Sequence, residues 1–259
     1  MSVTTVEEMV RYEVRDDVAF VTLNKPPLNI MTGALMAELA SAIERAQQEP
    51  TVKAIALTAN GRAFSAGADI GEHRPEQAPE MIYEFSRLFS VMGACEVPLV
   101  IGVDGAALGA GFEVATMADV LIATSRATFG QPEIRVGFFA PVGVAALAAR
   151  IGPARAVEVT STGRPYTAQE MHAMGLVSQV VAADGLTSAM DAVLADLRKA
   201  SAAVMRLNVR LVRQLQGLPF EEARVEAERV FLDELITLDD VREGVAAFYE
   251  KRTPVWKNR

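Results

Sequence analysis

The chain has 259 residues, a formal net charge of −8 and 51% hydrophobic residues, enough for one substantial core with a small appended piece. The acidic balance argues against nucleic acid as a partner, because phosphate backbones call for a basic face. One cysteine, Cys95, excludes an internal disulfide, and with only His73 and His172 beside it no metal-ligand spacing arises; a reducing, cytoplasmic setting fits. The N-terminal stretch MSVTTVEEMVRYEV carries early acids and no apolar leader core. Nowhere do eighteen apolar residues run without a charge, so the expectation is a soluble chain with no membrane partner.

MVRYEV and VAFVTL, separated by Arg15-Asp16-Asp17, alternate and are β-branched, which predicts a hairpin. Over residues 32–50 the apolar positions Leu35, Leu39, Ala42, Ile43 and Ala46 repeat at helical spacing, and Pro50 is the stop. KAIALTA (53–59) predicts a buried strand, followed by the bare stretch AFSAGADIGEH (63–73) and a helix from Pro79 to Glu96. PLVIGVDG (98–105) is a strand, GAGFEVATMA (109–118) a helix and DVLIAT (119–124) a strand. Strands alternating with helices predict an α/β fold with parallel pairing. From PVGVAALAARIG (141–152) onward the pattern is mostly helical, with one short strand in LVSQVV (176–181). In AAVMRLNVRLVRQL (202–215) Val204, Leu207, Leu211 and Leu215 form one stripe, with Arg206, Arg210 and Arg213 away from it. The organisation expected is therefore a core over residues 1–200 and a helical C-terminal region over 201–259, with no internal repeat or long linker.

Two stretches leave the backbone bare: AFSAGADIGEH and GAALGAGFEV (105–114). In each a strand ends, small residues follow, and N–H groups near a coming helix lack intrahelical acceptors. Gly67, Ala68, Gly109, Ala110 and Gly111 carry little or no side chain, so a carbonyl can approach the main chain, and donors from two loops can converge on it as an oxyanion hole. The competing reading is that small residues simply permit helix–strand packing. Glu113 lies three residues after Ala110, one helical turn along on the same face; it is either a catalytic acid or base, or a first-turn acid complementing the helix dipole. Glu133, in FGQPEIRVG, follows Pro132 at a turn or helix start, and alone reads as a surface acid.

Other chemistries fit poorly. Val114 stands where a dinucleotide-binding GxGxxG would place its third glycine, and there is no GK[ST] for a P-loop. Ser65 sits in AFSAG rather than a GxSxG elbow. His73 and His172 read as surface or packing residues, and Cys95 as a buried structural thiol.

AFSAGAD, GAALGAGFEVATMADVLIAT and FGQPEIRVG, in this order, resemble the enoyl-CoA hydratase and isomerase (crotonase) superfamily over nearly the whole chain, from VAFVTLNKPPLNIMT to the helical C-terminus. The resemblance implies a ββα spiral core with a helical C-terminal region, assembly as a homotrimer or hexamer, and acyl-CoA thioesters as substrates, with no cofactor beyond the CoA of the substrate and no metal. It puts the oxyanion donors on the backbone N–H of Ala68 and Ala110, and substrate or CoA contacts on Leu28, Ala68, Asp69, Ile70, Gly71 and Ala110. It puts the two hydratase glutamates on Glu113 and Glu133, with Glu113 taking a proton from water and Glu133 supplying one to the α-carbon. Isomerase members generally keep only the second acid, so the pair points to hydration. The alternatives are an isomerase or a non-catalytic acyl-CoA binding protein. Ala110 departs from the glycine common in hydratases, adding a Cβ near the approach path. Where short-chain hydratases carry a glycine-rich loop this chain has Phe138, Phe139 and Pro141, and FFAP with GEHRPEQAPEMI is similar to the branch that hydrates cyclic dienoyl-CoA thioesters; core packing is the competing account of the two phenylalanines. Arg206, Arg210, Lys251, Arg252 and Lys257 are candidates to meet CoA phosphates, or else solvated helix faces.

Overall fold

The computed structural model describes residues 8–259; residues 1–7, part of the stretch searched for a leader, lie outside them. In chain order the first elements are β1 (Val10–Arg15), β2 (Val18–Leu23), α1 (Gly33–Gln48), β3 (Ala54–Ala59), β4 (Ala63–Ser65) and α2 (Ala78–Gly93). Next come β5 (Leu99–Val103), β6 (Ala106–Leu108), α3 (Ala110–Thr116), β7 (Val120–Thr124), β8 (Thr128–Gly130), α4 (Pro141–Ile151) and α5 (Pro153–Thr162). The chain continues through β9 (Tyr166–Thr167), α6 (Ala168–Met174), β10 (Gln179–Val181), α7 (Leu186–Leu197), α8 (Ala202–Gln214), α9 (Phe220–Asp233) and α10 (Asp239–Glu250).

The strands form two sheets, one of six in the order β1-β2-β3-β5-β7-β10 and one of four in the order β4-β6-β8-β9. β1 and β2 pair antiparallel as the expected hairpin, and the larger sheet is parallel from β2 onward. Three successive β-β-helix units, β3-β4-α2, β5-β6-α3 and β7-β8-α4, each give their first strand to the larger sheet and their second to the smaller one. Both faces of the central strands are covered. Ile55, Leu57, Leu99, Ile101, Leu121 and Ala123 join the main core, while the alternating Ala54, Ala56, Val100 and Ile122 pack under Met190 and Leu194 of α7. A strand buried on both faces needs apolar residues throughout, and this is why β5 and β7 read as continuous runs.

The structure departs from the sequence reading at three places. The bare stretches do not begin as loops: Ala63–Ser65 and Ala106–Leu108 are strands of the smaller sheet, joined by Thr128–Gly130. Three residues are too few for a two-residue period to register. The helix expected from Pro79 to Glu96 spans Ala78–Gly93 and stops short of Cys95, whose buried thiol donates to the Val97 carbonyl. On α8 the arginines set off from the apolar stripe turn inward. Arg206 donates to the carbonyls of Gln47 and Glu49, at the C-terminal end of α1, at 3.0 and 2.8 Å, and Arg213 to that of Met92 near the end of α2, at 2.8 Å. Helix C-termini present unpaired carbonyls and a partial negative charge, and a guanidinium with five donors satisfies them better than an apolar residue would. Amphipathic spacing alone places such arginines in solvent.

Packing between the sheets and α3 is tight at Gly111, where an added Cβ would lie 2.5 Å from Ser65 Cβ. Replacing Gly111 with Ala must push α3 away from β4, at a cost of about 1–3 kcal/mol. Urea unfolding is expected to show the midpoint falling by the corresponding amount with the slope unchanged.

Candidate active site

β4 and β6 are parallel neighbours, so their C-terminal ends lie side by side and release their chains at one place. Gly67 (φ +106°) and Gly109 (φ +50°) meet there. A Cβ on Gly67 would lie 3.2 Å from the Leu108 carbonyl oxygen, and one on Gly109 would lie 3.6 Å from Gly67 Cα. Positive φ and this approach together call for glycine at both positions. Asn29, fully buried, ties the preceding loop down by donating to the carbonyls of Asn60 and Ala63 at 2.7 and 2.9 Å.

The amides around this crossing are used selectively. Gly67 N–H donates to Ser65 Oγ (3.2 Å), Asp69 N–H to the Met31 carbonyl (3.3 Å) and Gly109 N–H to the Gly130 carbonyl (2.9 Å). The amides of Ala68 and Ala110 find no acceptor among the described residues. Ala110 is the first residue of α3, where a helix leaves its N–H groups unpaired. Two donors from separate loops are thus left over where the loops touch.

Both glutamates reach the same place. Glu113, only 2% exposed, accepts hydrogen bonds at Oε1 from the amides of Val142 and Gly143 at 2.8 and 2.9 Å, at the start of α4. Burial pushes its carboxyl up to about 7; the two amides pull the other way, and the charge of Glu133 adds to the rise. Glu133 stands on a 3₁₀ turn, Pro132–Val136, half-buried, with carboxylate oxygens 3.5 and 3.6 Å from the point where a Cβ of Gly109 would be. Its Oε2 is buried without a hydrogen-bond partner among the described residues. Burial raises this carboxyl as well, with the nearby His73 acting in the opposite sense.

Ala68, Ala110, Glu113 and Glu133 line one cavity of about 610 Å³. Its wall is otherwise apolar, and His73 contributes its one further ionisable side chain. Phe138 and Phe139, 44% and 65% exposed, stand on the wall and are not core residues; the turn after Glu133 projects them outward. His73, expected at the surface or in packing, also lines the cavity, whereas His172 is exposed. Of the other sequence candidates Ile70 lines the cavity, while Asp69 turns its carboxylate back to accept from Gly71 N–H at 2.7 Å. Gly71 and Leu28 do not line the cavity, and Leu28 supports the site through its carbonyl, which accepts from Ala66 N–H at 2.9 Å.

Three of the five C-terminal cations are engaged within the chain. Arg206 caps carbonyls as described, Arg210 pairs with Glu234, and Arg252 with Glu243 and Glu250; Lys251 and Lys257 are exposed. The Cys95 thiol is pushed up to about 11 by burial. Among the described residues no group of three or more His, Cys, Asp or Glu is placed to hold a metal ion, and no helix is long and apolar enough to cross a membrane.

The elements define an α/β fold of repeated β-β-helix units with a buried two-carboxylate cavity at the strand ends. Comparison with known proteins gives this class its family: residues 13–259 match the family model described as enoyl-CoA hydratase/isomerase, and the chain belongs to that family. It is 35% identical over 238 residues, 92% of each chain, to the cyclohexa-1,5-dienecarbonyl-CoA hydratase of Thauera aromatica. It is 36% identical over 255 residues, 97% of this chain and 99% of the other, to a probable enoyl-CoA hydratase of Mycobacterium tuberculosis. A crystal structure of an enoyl-CoA hydratase subunit from Geobacillus kaustophilus superposes with a TM-score of 0.89 at 31% identity, covering 97% of this chain and 99% of that one. The crotonase-like α/β architecture expected from the motifs is the one observed.

The raised Glu113 carboxyl carries a pH signature. A folded-state value of about 7, above the ordinary value of 4.5, means that stability is fully present below pH 4.5 and declines as pH rises through 7. Glu113→Gln keeps the acceptor for Val142 and Gly143 without the charge. Relative to the parent protein it is expected to gain on the order of 3 kcal/mol between pH 4 and pH 8 in urea unfolding.

Proposed function

We propose that the protein is an enoyl-CoA hydratase, a hydro-lyase that adds water across the 2,3 double bond of an enoyl-CoA thioester, with Glu113 and Glu133 as its acid–base pair. The reading rests on one observation: two main-chain amides without acceptors and two buried carboxylates line a single apolar cavity. As water adds to the β-carbon, negative charge develops on the thioester oxygen, and the unpaired Ala68 and Ala110 N–H groups receive it. Glu113, held by two amides that favour its ionised form, takes the proton of the attacking water. Glu133, whose buried Oε2 has no partner among the described residues to hold it ionised, supplies the proton to the α-carbon. Two carboxylates that feel each other's charge resist being ionised together, which keeps one proton available on the pair. The presence of both acids favours hydration over isomerisation.

CoA enters as part of the substrate, and no separate cofactor or metal is assigned. Assembly as a homotrimer or hexamer is supported by the exposed large apolar side chains of α9 and α10, among them Phe220, Phe231, Leu232, Phe248 and Tyr249, which a partner copy would cover. The single buried cysteine accords with a cytoplasmic location.

A cyclic acyl group is the second reading. Phe138 and Phe139 line the cavity with aromatic rings, and the 35% identical relative from Thauera aromatica is a hydratase of a cyclic dienoyl thioester. Hydration of crotonyl-CoA and of cyclohexa-1,5-dienecarbonyl-CoA, each followed by loss of the conjugated-thioester absorbance, separates the two by their kcat/KM.

Glu113→Gln and Glu133→Gln are each expected to lower kcat for the preferred thioester by about 10²–10⁴-fold while acyl-CoA binding, measured by calorimetry, survives. Unchanged turnover in both variants would remove the two glutamates from the chemistry and favour a passive acyl-CoA binding protein. Ala110→Pro deletes one donor at a helix position that tolerates proline, and a loss of about 10²–10³-fold in kcat is expected.

A further inference from the structure

Beyond the two glutamates, the cavity wall is built from two stretches of chain. Ile70, Met81 and Ile82 come from the turn after β4 and from α2, and Val136, Phe138 and Phe139 from the turn that carries Glu133 and the residues after it. All six are apolar. Whichever of the two stretches an acyl chain follows away from the reacting carbons, it meets hydrocarbon.

The charges on this wall have one sign. Glu113 and Glu133 are its carboxyls; Oε1 of Glu113 is satisfied by the Val142 and Gly143 amides, and Oε2 of Glu133 is buried with no partner among the described residues. The one side-chain donor on the wall is His73. Its Nδ1 lies 2.8 Å from the Asp69 carbonyl, which can only accept, so the neutral ring keeps its hydrogen there and presents a lone pair at Nε2. The ring also stands edge-on to Phe138, centroid to centroid 5.1 Å at 62°. Arg74 and Arg135, the arginines nearest in sequence to these stretches, are exposed and do not line the cavity, and Arg135 donates to the Thr162 carbonyl at 3.4 Å. Gln131, whose side-chain amide is buried without a partner among the described residues, does not line it either. A carboxylate carried in on a short acyl chain would therefore enter an apolar space beside two acids, with no cation on the wall to meet it. Burying an unpaired carboxylate is costly, and repulsion from like charges adds to the cost.

We propose that the cavity selects uncharged acyl groups and rejects an acyl chain that ends in a carboxylate. The inference rests on the acyl-CoA reading above and deepens it by naming the class of acyl group. Crotonyl and cyclohexadienecarbonyl groups, the linear and the cyclic, both satisfy it. Family membership does not decide the matter, since a 31% identical relative from Escherichia coli is a 2,3-dehydroadipyl-CoA hydratase.

Binding of non-reactive, saturated thioesters separates charge from size. Hexanoyl-CoA, adipyl-CoA and the monomethyl ester of adipyl-CoA are titrated into the protein in a calorimeter at pH 8, above the ordinary histidine range, so that the charge under test is the ligand's own. The acid group of adipyl-CoA stands only three carbons beyond the β-carbon, so it cannot move far from the two glutamates. The ester is expected to bind within about tenfold of hexanoyl-CoA, and adipyl-CoA about 10²-fold more weakly than the ester. Adipyl-CoA bound as tightly as its ester, or the ester bound as weakly as the acid, would overturn the selection. A cation added to the wall should relax it: in at least one of Ile82→Lys and Phe138→Lys the gap between acid and ester is expected to shrink by about tenfold, and an unchanged gap in both would overturn it as well. Failure of hexanoyl-CoA itself to bind the parent protein would remove the acyl-CoA reading of the cavity, and this inference with it.

Discussion

The site depends on two parallel strands, β4 and β6, ending side by side, so that the chain leaves each through a glycine pressed against the other. Gly67 and Gly109 take backbone conformations that side chains resist, and their contact turns the next two amides away from every acceptor among the described residues. A buried N–H without a partner costs free energy, and a fold keeps such a group where a ligand will satisfy it. Here two amides without acceptors line one cavity.

The acids are placed by the same repeat. The second unit carries Ala110 and Glu113 on α3, and the third carries Glu133 on the turn before α4, whose first amides hold Glu113. One carboxyl is therefore gripped at a helix start while the other has a buried oxygen without a partner. The two acids are thus given unequal environments, the condition under which one of a pair can take a proton while the other gives one. The apolar wall around them raises both carboxyls and strengthens every charge interaction inside.

Much of this was legible in the residues themselves. The α/β alternation shows because β3, β5 and β7 are apolar on both faces, and the hairpin because β1 and β2 alternate. The small residues at 67–68 and 109–111 mark the crossing, and Glu113 follows from helical spacing. Glu133 joins the site only by folding, since twenty residues and a strand pair separate it from Glu113. What was not legible follows a common cause: the second, smaller sheet is built of strands too short for periodicity, and the inward turn of Arg206 and Arg213 answers carbonyls contributed by distant helices. His73 and Phe138 likewise gain meaning only where their turns face one cavity.

The central claim is that the Ala68 and Ala110 amides receive the thioester oxygen between the two glutamates. A crystal structure with a non-reactive acyl-CoA bound tests it most directly. The account predicts the thioester oxygen about 2.7–3.1 Å from both nitrogens, with the α- and β-carbons lying between the Glu133 and Glu113 carboxylates. A thioester oxygen held elsewhere, or an acyl group that leaves either carboxylate out of reach, would contradict it.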